Sequence, residues 1–235
     1  MKLSACYCDT KLKLSPVGIL QLMEDSVTEY MHMLDIDGTV AIRRYGCILV
    51  YAAAGVRIFA RPAWQEEFTV RTFISAKEKA RLLLDTVFES PQGSCMIYGR
   101  TEICGIDLET QQIRRINTFG VDDGIPSQPE EQHFDRLHFP AEGYENVHTV
   151  TARSTNIDYL HHVNNIEYVR FLEDTYSVEQ LEQEPFRELM LYYRHQAYEG
   201  ETLKIGRQEQ PDGTYYEIRR GDDLIVRARI ITGEA

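Results

Sequence analysis

The two halves of this sequence repeat one another when the chain is aligned on itself with Asp9 against Asp158. In that register the acidic pair at positions 24–25 falls on the acidic pair at 173–174. Apolar positions coincide at steps of three and four: Val17 with Ile166, Leu20 with Val169, and Met23 with Leu172. This spacing is typical of the buried stripe of an amphipathic helix. Because helical periodicity produces some matching by chance, the repeat suggests a duplication and does not prove one.

Each predicted helix is followed by four segments rich in β-branched and aromatic residues. They are YGCILVYAAAGVRIFA, EEFTVRTFISA, KARLLLDTVFES and SCMIYGRTEICGIDLE, then RELMLYYRHQAY, ETLKIGRQEQ, TYYEIRRG and DLIVRARIITG. Turn residues such as Pro91-Gln92-Gly93 and Pro211-Asp212-Gly213 separate them. Each half is therefore predicted to contain a short strand, one long helix and four strands joined by hairpins. One helix per antiparallel sheet suggests that the sheet wraps the helix and buries its apolar face.

Between the halves lies a segment with prolines, glycines and acids and no sustained periodicity, NTFGVDDGIPSQPEEQHFDRLHFPAEGYENV. At about thirty residues it is long for a connection inside one compact domain. We therefore predict two units, residues 1–116 and 148–235, joined by a linker at 117–147.

Composition narrows the function classes. The formal net charge is -12, whereas nucleic-acid binding needs a basic surface, so we expect no nucleic-acid partner. No apolar run reaches the roughly 18 to 20 residues of a membrane span, and the first residues lack the apolar core of a secretion signal. Cys6 and Cys8 form a pair, but the other three cysteines show no second pair at zinc-ligand spacing. We expect buried free thiols, no metal and a cytoplasmic location.

Two tandem units of this kind form a double hotdog arrangement, and here the residues become recognisable. HVNNIEY (162–168), preceded by Asp158, resembles the Asp-x-Asn-x-His-Val-Asn-Asn-x-x-Tyr signature of the plant and bacterial acyl-acyl-carrier-protein (acyl-ACP) thioesterases. LYYRHQA (191–197) resembles the strand that ends Tyr-Arg-x-Glu-Cys in plant members. LSPVGILQLMEDSVTEYM and VRIFARPAWQEEFTVRTFISA resemble the family's first helix and its Arg-Pro-x-Trp strand entry. The resemblance covers residues 3–231 and is most specific around His162.

The resemblance implies an α+β double hotdog hydrolase that cleaves the thioester between a fatty acyl chain and acyl carrier protein. It implies a role in ending chain elongation in fatty acid biosynthesis, and no metal or organic cofactor. Two alternatives stay open: an acyl-CoA thioesterase, and a catalytically weakened homologue that binds acyl chains. We expect the first unit to bind the acyl chain beside the small residues Ala52, Ala53, Ala54 and Gly55, and the second unit to hold the catalytic motif.

Thioester hydrolysis needs an activated nucleophile and donors for the developing oxyanion. His162 precedes the predicted second helix, and histidine ordinarily titrates near neutral pH, so we expect it to activate water or polarise the carbonyl. Asp158 would orient the imidazole. Backbone N–H groups at the helix start, around Val163, Asn164 and Asn165, would meet the oxyanion.

Two positions depart from the family pattern. Leu160 stands where the family has Asn, and Gln196 stands where it has an acid, followed by Ala197 in place of cysteine. Gln196 can position water or a carbonyl but cannot act as a general base. A helix carboxylate is an alternative source of a base. Glu173 lies roughly 16 Å along the helix from His162, too far to share one water.

The same stretch also has a simpler structural interpretation. Asn164 and Asn165 can serve as a helix N-cap and first-turn pair, and Ser15 with Pro16 matches that use in the first half. Lys13 stands opposite His162 in the repeat, so we expect a single active site, in the second half.

Acyl carrier proteins are acidic, so docking on this acidic chain needs a local basic patch. The candidates are Arg43-Arg44, Lys77 with Lys79 and Arg81, Arg114-Arg115, and Arg219-Arg220. Acyl-CoA would be attracted by the same patches. Open sheet edges would also permit a homodimer.

Overall fold

The computed structural model describes residues 1–121, 124–129 and 132–233. The first half contains helices α1 (Pro16–Met33) and α2 (Gly38–Tyr45), then strands β1 (Cys47–Ile58), β2 (Thr69–Lys77), β3 (Leu82–Glu89), β4 (Cys95–Asp107) and the short β5 (Ile113–Arg114). The second half contains β6 (Glu145–Thr151), α3 (Asn165–Glu173), α4 (Val178–Gln183), β7 (Phe186–Tyr193), β8 (Thr202–Gln210), β9 (Gly213–Arg220) and β10 (Asp223–Thr232). The predicted α+β architecture, with two tandem helix-and-sheet units, is confirmed.

All the named strands belong to one antiparallel sheet in the order β2-β3-β4-β1-β7-β10-β9-β8-β6, with β5 paired to β4. The two halves meet where β1 pairs with β7, with Ala54 opposite Leu191 and Gly55 opposite Met190. On the inner side of the sheet α1 packs against α3. The helices of the two halves are therefore neighbours, and groups from both units can share one site.

Three details of the predicted halves are wrong. The first half contains a second helix, α2, and a short fifth strand, β5. The second half has two short helices, because Thr175 Oγ1 donates to the Leu172 carbonyl as α3 ends and Ser177 starts α4 with a capping box to Gln180. In the described residues of the first half, isolated bridges such as Cys8 with Leu14 replace the predicted first strand. The apolar stripe of α1 agrees with prediction, since its buried residues include Leu20, Met23, Val27 and Met31.

The segment between the halves crosses the outer face of the sheet. Successive strand residues face opposite sides. Ala54 faces α1, and the place of a Gly55 side chain is filled from outside by Phe134 and the Met190 sulfur. Phe134 stacks on Tyr98 with ring centroids 6.2 Å apart.

The division into 1–116, 117–147 and 148–235 stays a prediction. Strand β6 begins at Glu145, inside the predicted linker range. Positions 122, 123, 130 and 131 of that linker, and 234–235 at the end of the second unit, lie outside the described residues.

A buried ion pair lies beneath the crossing segment. Asp85 is fully buried, and its oxygens accept from Arg100 Nε at 2.7 Å and Nη2 at 2.8 Å. The Tyr98 hydroxyl donates to the same carboxylate. Both charges are thus out of water and depend on each other.

The cysteines agree only in part with the expectation of buried free thiols. Cys47 and Cys104 are buried free thiols, whereas Cys6 and Cys95 are exposed. In the described chain, no helix combines the length and the apolar character that crossing a bilayer requires.

Candidate active site

A tight turn at residues 158–162 precedes α3. The Asp158 N–H donates to the His162 carbonyl at 2.9 Å, and the His161 N–H donates to the Asp158 carbonyl at 3.0 Å. Asp158 Oδ1 accepts from the Leu160 N–H at 2.8 Å. His161 has a φ of 64°, a left-handed conformation that closes the turn. Asp158 is therefore a structural part of the turn that presents His162.

The first half forms the same turn at residues 9–13. The Asp9 N–H donates to the Lys13 carbonyl, the Leu12 N–H donates to the Asp9 carbonyl, and Asp9 Oδ1 accepts from the Lys11 N–H. Leu12 has a φ of 55°, in the position that His161 occupies in the second half. The equivalence of these three hydrogen bonds supports the repeat in three dimensions and relates the two turns as a pseudo-symmetric pair.

His162 and Asp158 are in contact. His162 Nδ1 lies 3.3 Å from Asp158 Oδ2, and the two side chains are only 13% and 14% exposed. Nδ1 also lies 3.3 Å from the Val163 carbonyl oxygen. Both neighbours of Nδ1 are acceptors, so the proton of a neutral imidazole sits on Nδ1 and leaves Nε2 as the basic atom.

The start of α3 contains a single uncommitted backbone donor. The Val163 N–H donates to the Ala197 carbonyl at 2.8 Å, and the Asn164 N–H donates to the Asn156 carbonyl at 2.9 Å. Asn164 is the N-cap, with Oδ1 accepting from the Ile166 N–H at 2.8 Å. The Asn165 N–H has no hydrogen-bond partner in the described part of the chain. Of the three predicted donors, only Asn165 can offer its N–H to a ligand here.

Gln196 and Leu160 both face solvent. Gln196 is exposed, and its Oε1 accepts from the Tyr198 hydroxyl at 3.1 Å. Leu160 is 37% exposed beside Tyr159, which is 84% exposed. Both positions that depart from the family pattern are thus solvent-exposed.

A cavity lies between α1 and the start of α3. Its polar wall is formed by Glu24, Tyr51, Thr101, Asn165 and Tyr193, and Leu20, Met23, Ala54 and Ile166 complete it. A water molecule's centre can occupy about 20 Å³ of it, which is enough for one water. His162 is not part of this wall; Asn165 is the wall residue that follows it most closely in sequence.

Glu24 of α1 faces this cavity with an unusual charge environment. Burial raises the pKa of Glu24 to about 7, and the negative charges of Asp25 and Asp158 raise it further. In the described part of the chain no hydrogen bond or ion pair joins the Glu24 carboxylate to another group. Burial raises the pKa of Tyr51 and Tyr193 well above the ordinary value, with Glu24 contributing, so both hydroxyls are neutral donors.

The pseudo-symmetric carboxylate, Glu173 of α3, has different neighbours. Burial also raises the pKa of Glu173 to about 7, Arg170 and Arg61 lower it, and Asp9 raises it. Arg61 forms an ion pair with Asp9 and donates to the Leu14 carbonyl. The Arg61 guanidinium thus lies at the first-half turn, which contains Lys13 where the second half has His162.

The helix carboxylate that faces the His162 turn therefore belongs to the other half. From the sequence, Glu173 was the carboxylate considered for this role, because it lies on the helix that follows His162. The repeated acidic pair was the available signal, but only the packing of α1 on α3 shows that the partners are exchanged. Together, the basic Nε2, a free N–H and a carboxylate of near-neutral pKa can perform acid–base chemistry on a carbonyl compound.

Residues 141–232 match the sequence profile of the acyl-ACP thioesterase C-terminal domain family. Curated protein sequences gave no match. An acyl-ACP thioesterase from Bacteroides thetaiotaomicron superposes with a TM-score of 0.85 at 17% identity, over 99% of this chain and 96% of that one. The 12:0-ACP thioesterase from Umbellularia californica gives 0.85 at 15% identity, over 100% and 96%. At such identities the structural likeness establishes the fold.

Proposed function

We propose that the protein hydrolyses fatty acyl-ACP thioesters to release free fatty acid, a proposal supported by the match of residues 141–232 to the acyl-ACP thioesterase C-terminal domain family. The proposed thioester hydrolase has the fold of the solved acyl-ACP thioesterases. The observation that supports this most directly is the Asp158-His162 contact at the start of α3, beside the unpaired Asn165 N–H.

Each group has a role in the proposed reaction. Asp158 holds the imidazole with Nδ1 protonated, so Nε2 of His162 either activates water or exchanges a proton with the reacting groups. The Asn165 N–H, strengthened by the positive end of α3, donates to the carbonyl oxygen as negative charge develops there. Gln196 keeps its amide NH2 for a carbonyl or water, because its oxygen is bound by Tyr198.

The test is release of free thiol from acyl-ACP and acyl-CoA substrates of medium and long chain length. We expect turnover by the wild type and a loss of at least about a hundredfold in His162→Ala, the scale of a lost acid–base group. The relative rates on the two carriers decide between acyl-ACP and acyl-CoA. Acyl-chain binding without thiol release would refute the hydrolase assignment in favour of an acyl-binding protein.

The acyl chain is proposed to lie along α1 in the first half. Ala54 and Met23 line the cavity there, and the Met23 side chain fills the space above Gly99, where a Cβ would collide with the end of the Met23 side chain. A methionine side chain rearranges easily, so its movement can open the cavity towards an acyl chain. Gly55 adds no room on this side, because it faces Phe134 on the outer side of the sheet.

Acyl carrier protein is proposed to dock on a basic patch formed by Arg43, Lys79 and Arg115. All three side chains are exposed and form no ion pair with a described residue. Hydrogen bonds connect the segments that carry these three residues. Arg114 in β5 donates to the Tyr45 carbonyl at the end of α2, and the Ile116 N–H donates to the Lys79 carbonyl in the turn after β2. The other predicted patches are less suited to docking, because Arg81, Arg219 and Arg220 are already paired with carboxylates.

Charge reversal tests this patch. Arg43→Glu with Arg115→Glu is expected to raise KM for acyl-ACP severalfold without changing kcat, and to make KM less sensitive to salt. Arg219→Glu is the control at a paired arginine. An unchanged KM in the double variant would exclude the patch.

A cytoplasmic location and a homodimer complete the proposal. The free edges of the sheet are β2 and β6, so a second chain is predicted to add at one of these strands. Molar mass measured by light scattering tests the dimer.

A further inference from the structure

We infer that Glu24, supplied by the first half, is the general base that activates the hydrolytic water at the active site of the second half. The inference rests on the hydrolysis proposed above and names the group that takes the proton from water. It also explains how the site can work without an acid at position 196. Gln196, which stands where the family pattern has an acid, is neutral and exposed, and Glu24 supplies the carboxylate instead.

The geometry supports this assignment because one cavity joins the required groups. Glu24 from α1 and Asn165 from α3 line the same space, which has room for a single water. A thioester carbonyl bound by the Asn165 N–H would lie against this water. The carboxylate is therefore on the water side of the carbonyl, whereas the carboxylate of Asp158 is engaged with His162 and the turn.

The surroundings of Glu24 fit a proton acceptor. The titratable groups around it are Asp25 from α1, Asp158 and Tyr159 from the turn, Tyr51 from β1 and Tyr193 from β7. Acids raise its proton affinity and the tyrosines are neutral, so the carboxylate is a stronger base than an exposed one. A pKa of about 7 leaves a large fraction ionised at neutral pH and still able to accept a proton.

The first-half site provides an internal comparison. Glu173 occupies the equivalent helix position, but Arg61 and Arg170 face it, and Lys13 replaces the histidine of the turn. The Arg61 ion pair with Asp9 fills the space that the His162-Asp158 contact occupies in the second half. The two carboxylates share burial and helix position, and only Glu24 faces a histidine turn.

The reaction step balances as follows. Glu24 takes one proton from water as the water oxygen bonds to the thioester carbon, and the carbonyl oxygen gains negative charge at the Asn165 N–H. The carbon–sulfur bond then breaks as the carbonyl re-forms, and the leaving thiolate receives the Nε2 proton of a His162 imidazolium, the doubly protonated form that the Asp158 carboxylate stabilises. The products are the fatty acid and the thiol of the carrier. Transfer of the proton from Glu24 back to His162, directly or through water, restores both groups.

The experiment compares Glu24→Gln, Glu24→Asp, Glu173→Gln and His162→Ala in the full chain, using the thioester that the wild type turns over fastest. We expect Glu24→Gln to lose about a hundredfold or more in kcat with little change in KM, and Glu24→Asp to retain intermediate activity. Glu173→Gln is the matched control, since it removes an equally buried helix carboxylate, and its kcat should stay within about threefold of the wild type. The wild-type rate should rise with pH through a limb near the Glu24 pKa of about 7, and Glu24→Gln should lose that limb.

Three results would overturn the inference in distinguishable ways. Turnover that needs His162 but survives Glu24→Gln within a few fold removes Glu24 alone and leaves the hydrolase assignment intact. Equal losses in Glu24→Gln and Glu173→Gln would mean that both carboxylates serve the structure. A wild type that turns over no thioester refutes the proposed function and the base together.

Discussion

Glu24 is expected to lower the stability of the protein at neutral and alkaline pH, and Glu24→Gln should remove that cost. The pKa of Glu24 is raised from 4.5 to about 7, mainly because burial disfavours the charged carboxylate. At about 1.4 kcal/mol per pKa unit, this shift corresponds to about 3 kcal/mol of unfavourable free energy for the ionised form. Because the carboxylate borders a cavity with room for a water molecule, the figure is an upper estimate.

The sign follows from linkage. A raised carboxyl pKa means that the folded state holds the proton more tightly than the unfolded state, so stability falls as pH rises through the interval from 4.5 to about 7. Below that interval the carboxyl is neutral in both states and costs nothing. The free energy of unfolding of Glu24→Gln should therefore exceed that of the wild type by about 3 kcal/mol near pH 8, and by about 1 kcal/mol or less near pH 5.

Urea unfolding of both proteins at the two pH values measures this difference. Glu29→Gln makes the same chemical change on the exposed side of α1, so its stability should follow that of the wild type at both pH values. A stability difference between Glu24→Gln and the wild type that does not depend on pH would refute the reasoning. A variant that is less stable than the wild type near pH 8 would show that the ionised carboxylate is compensated.

Three further outcomes are expected. Asp158→Asn keeps an oxygen for the Leu160 N–H, so steady-state kinetics should show a loss of about tenfold or more in kcat while circular dichroism shows an unchanged fold. Arg100→Ala leaves the fully buried Asp85 without its cation and should cost about 3 to 5 kcal/mol in urea unfolding; a cost below about 1 kcal/mol would contradict the buried pair. Arg61→Ala breaks the ion pair of the first-half turn and should lower stability by about 1 to 3 kcal/mol, with thiol release unaffected if only the second half is active.

Local patterns were sufficient for α1 and for the N-caps of α1 and α3. The apolar stripe of α1 is buried, and Ser15 and Asn164 accept hydrogen bonds from the first turns of α1 and α3. The long second helix was predicted wrongly, because periodicity continues across Thr175 while side-chain bonds to the backbone end the helix. Short-range hydrogen bonds compete with the helix in a way that apolar spacing does not reveal.

The sequence by itself determined the Asp158-His162 motif and the acyl-ACP thioesterase resemblance and suggested the duplication, because each depends on local patterns of residues. Tertiary structure decided which helix carboxylate faces which turn. Pairing of β1 with β7 brings α1 against α3, so Glu24 lies near the Asp158 turn and Glu173 near the Asp9 turn. No local pattern encodes that exchange, since it arises from the way two similar units pack side by side and bring together residues far apart in sequence.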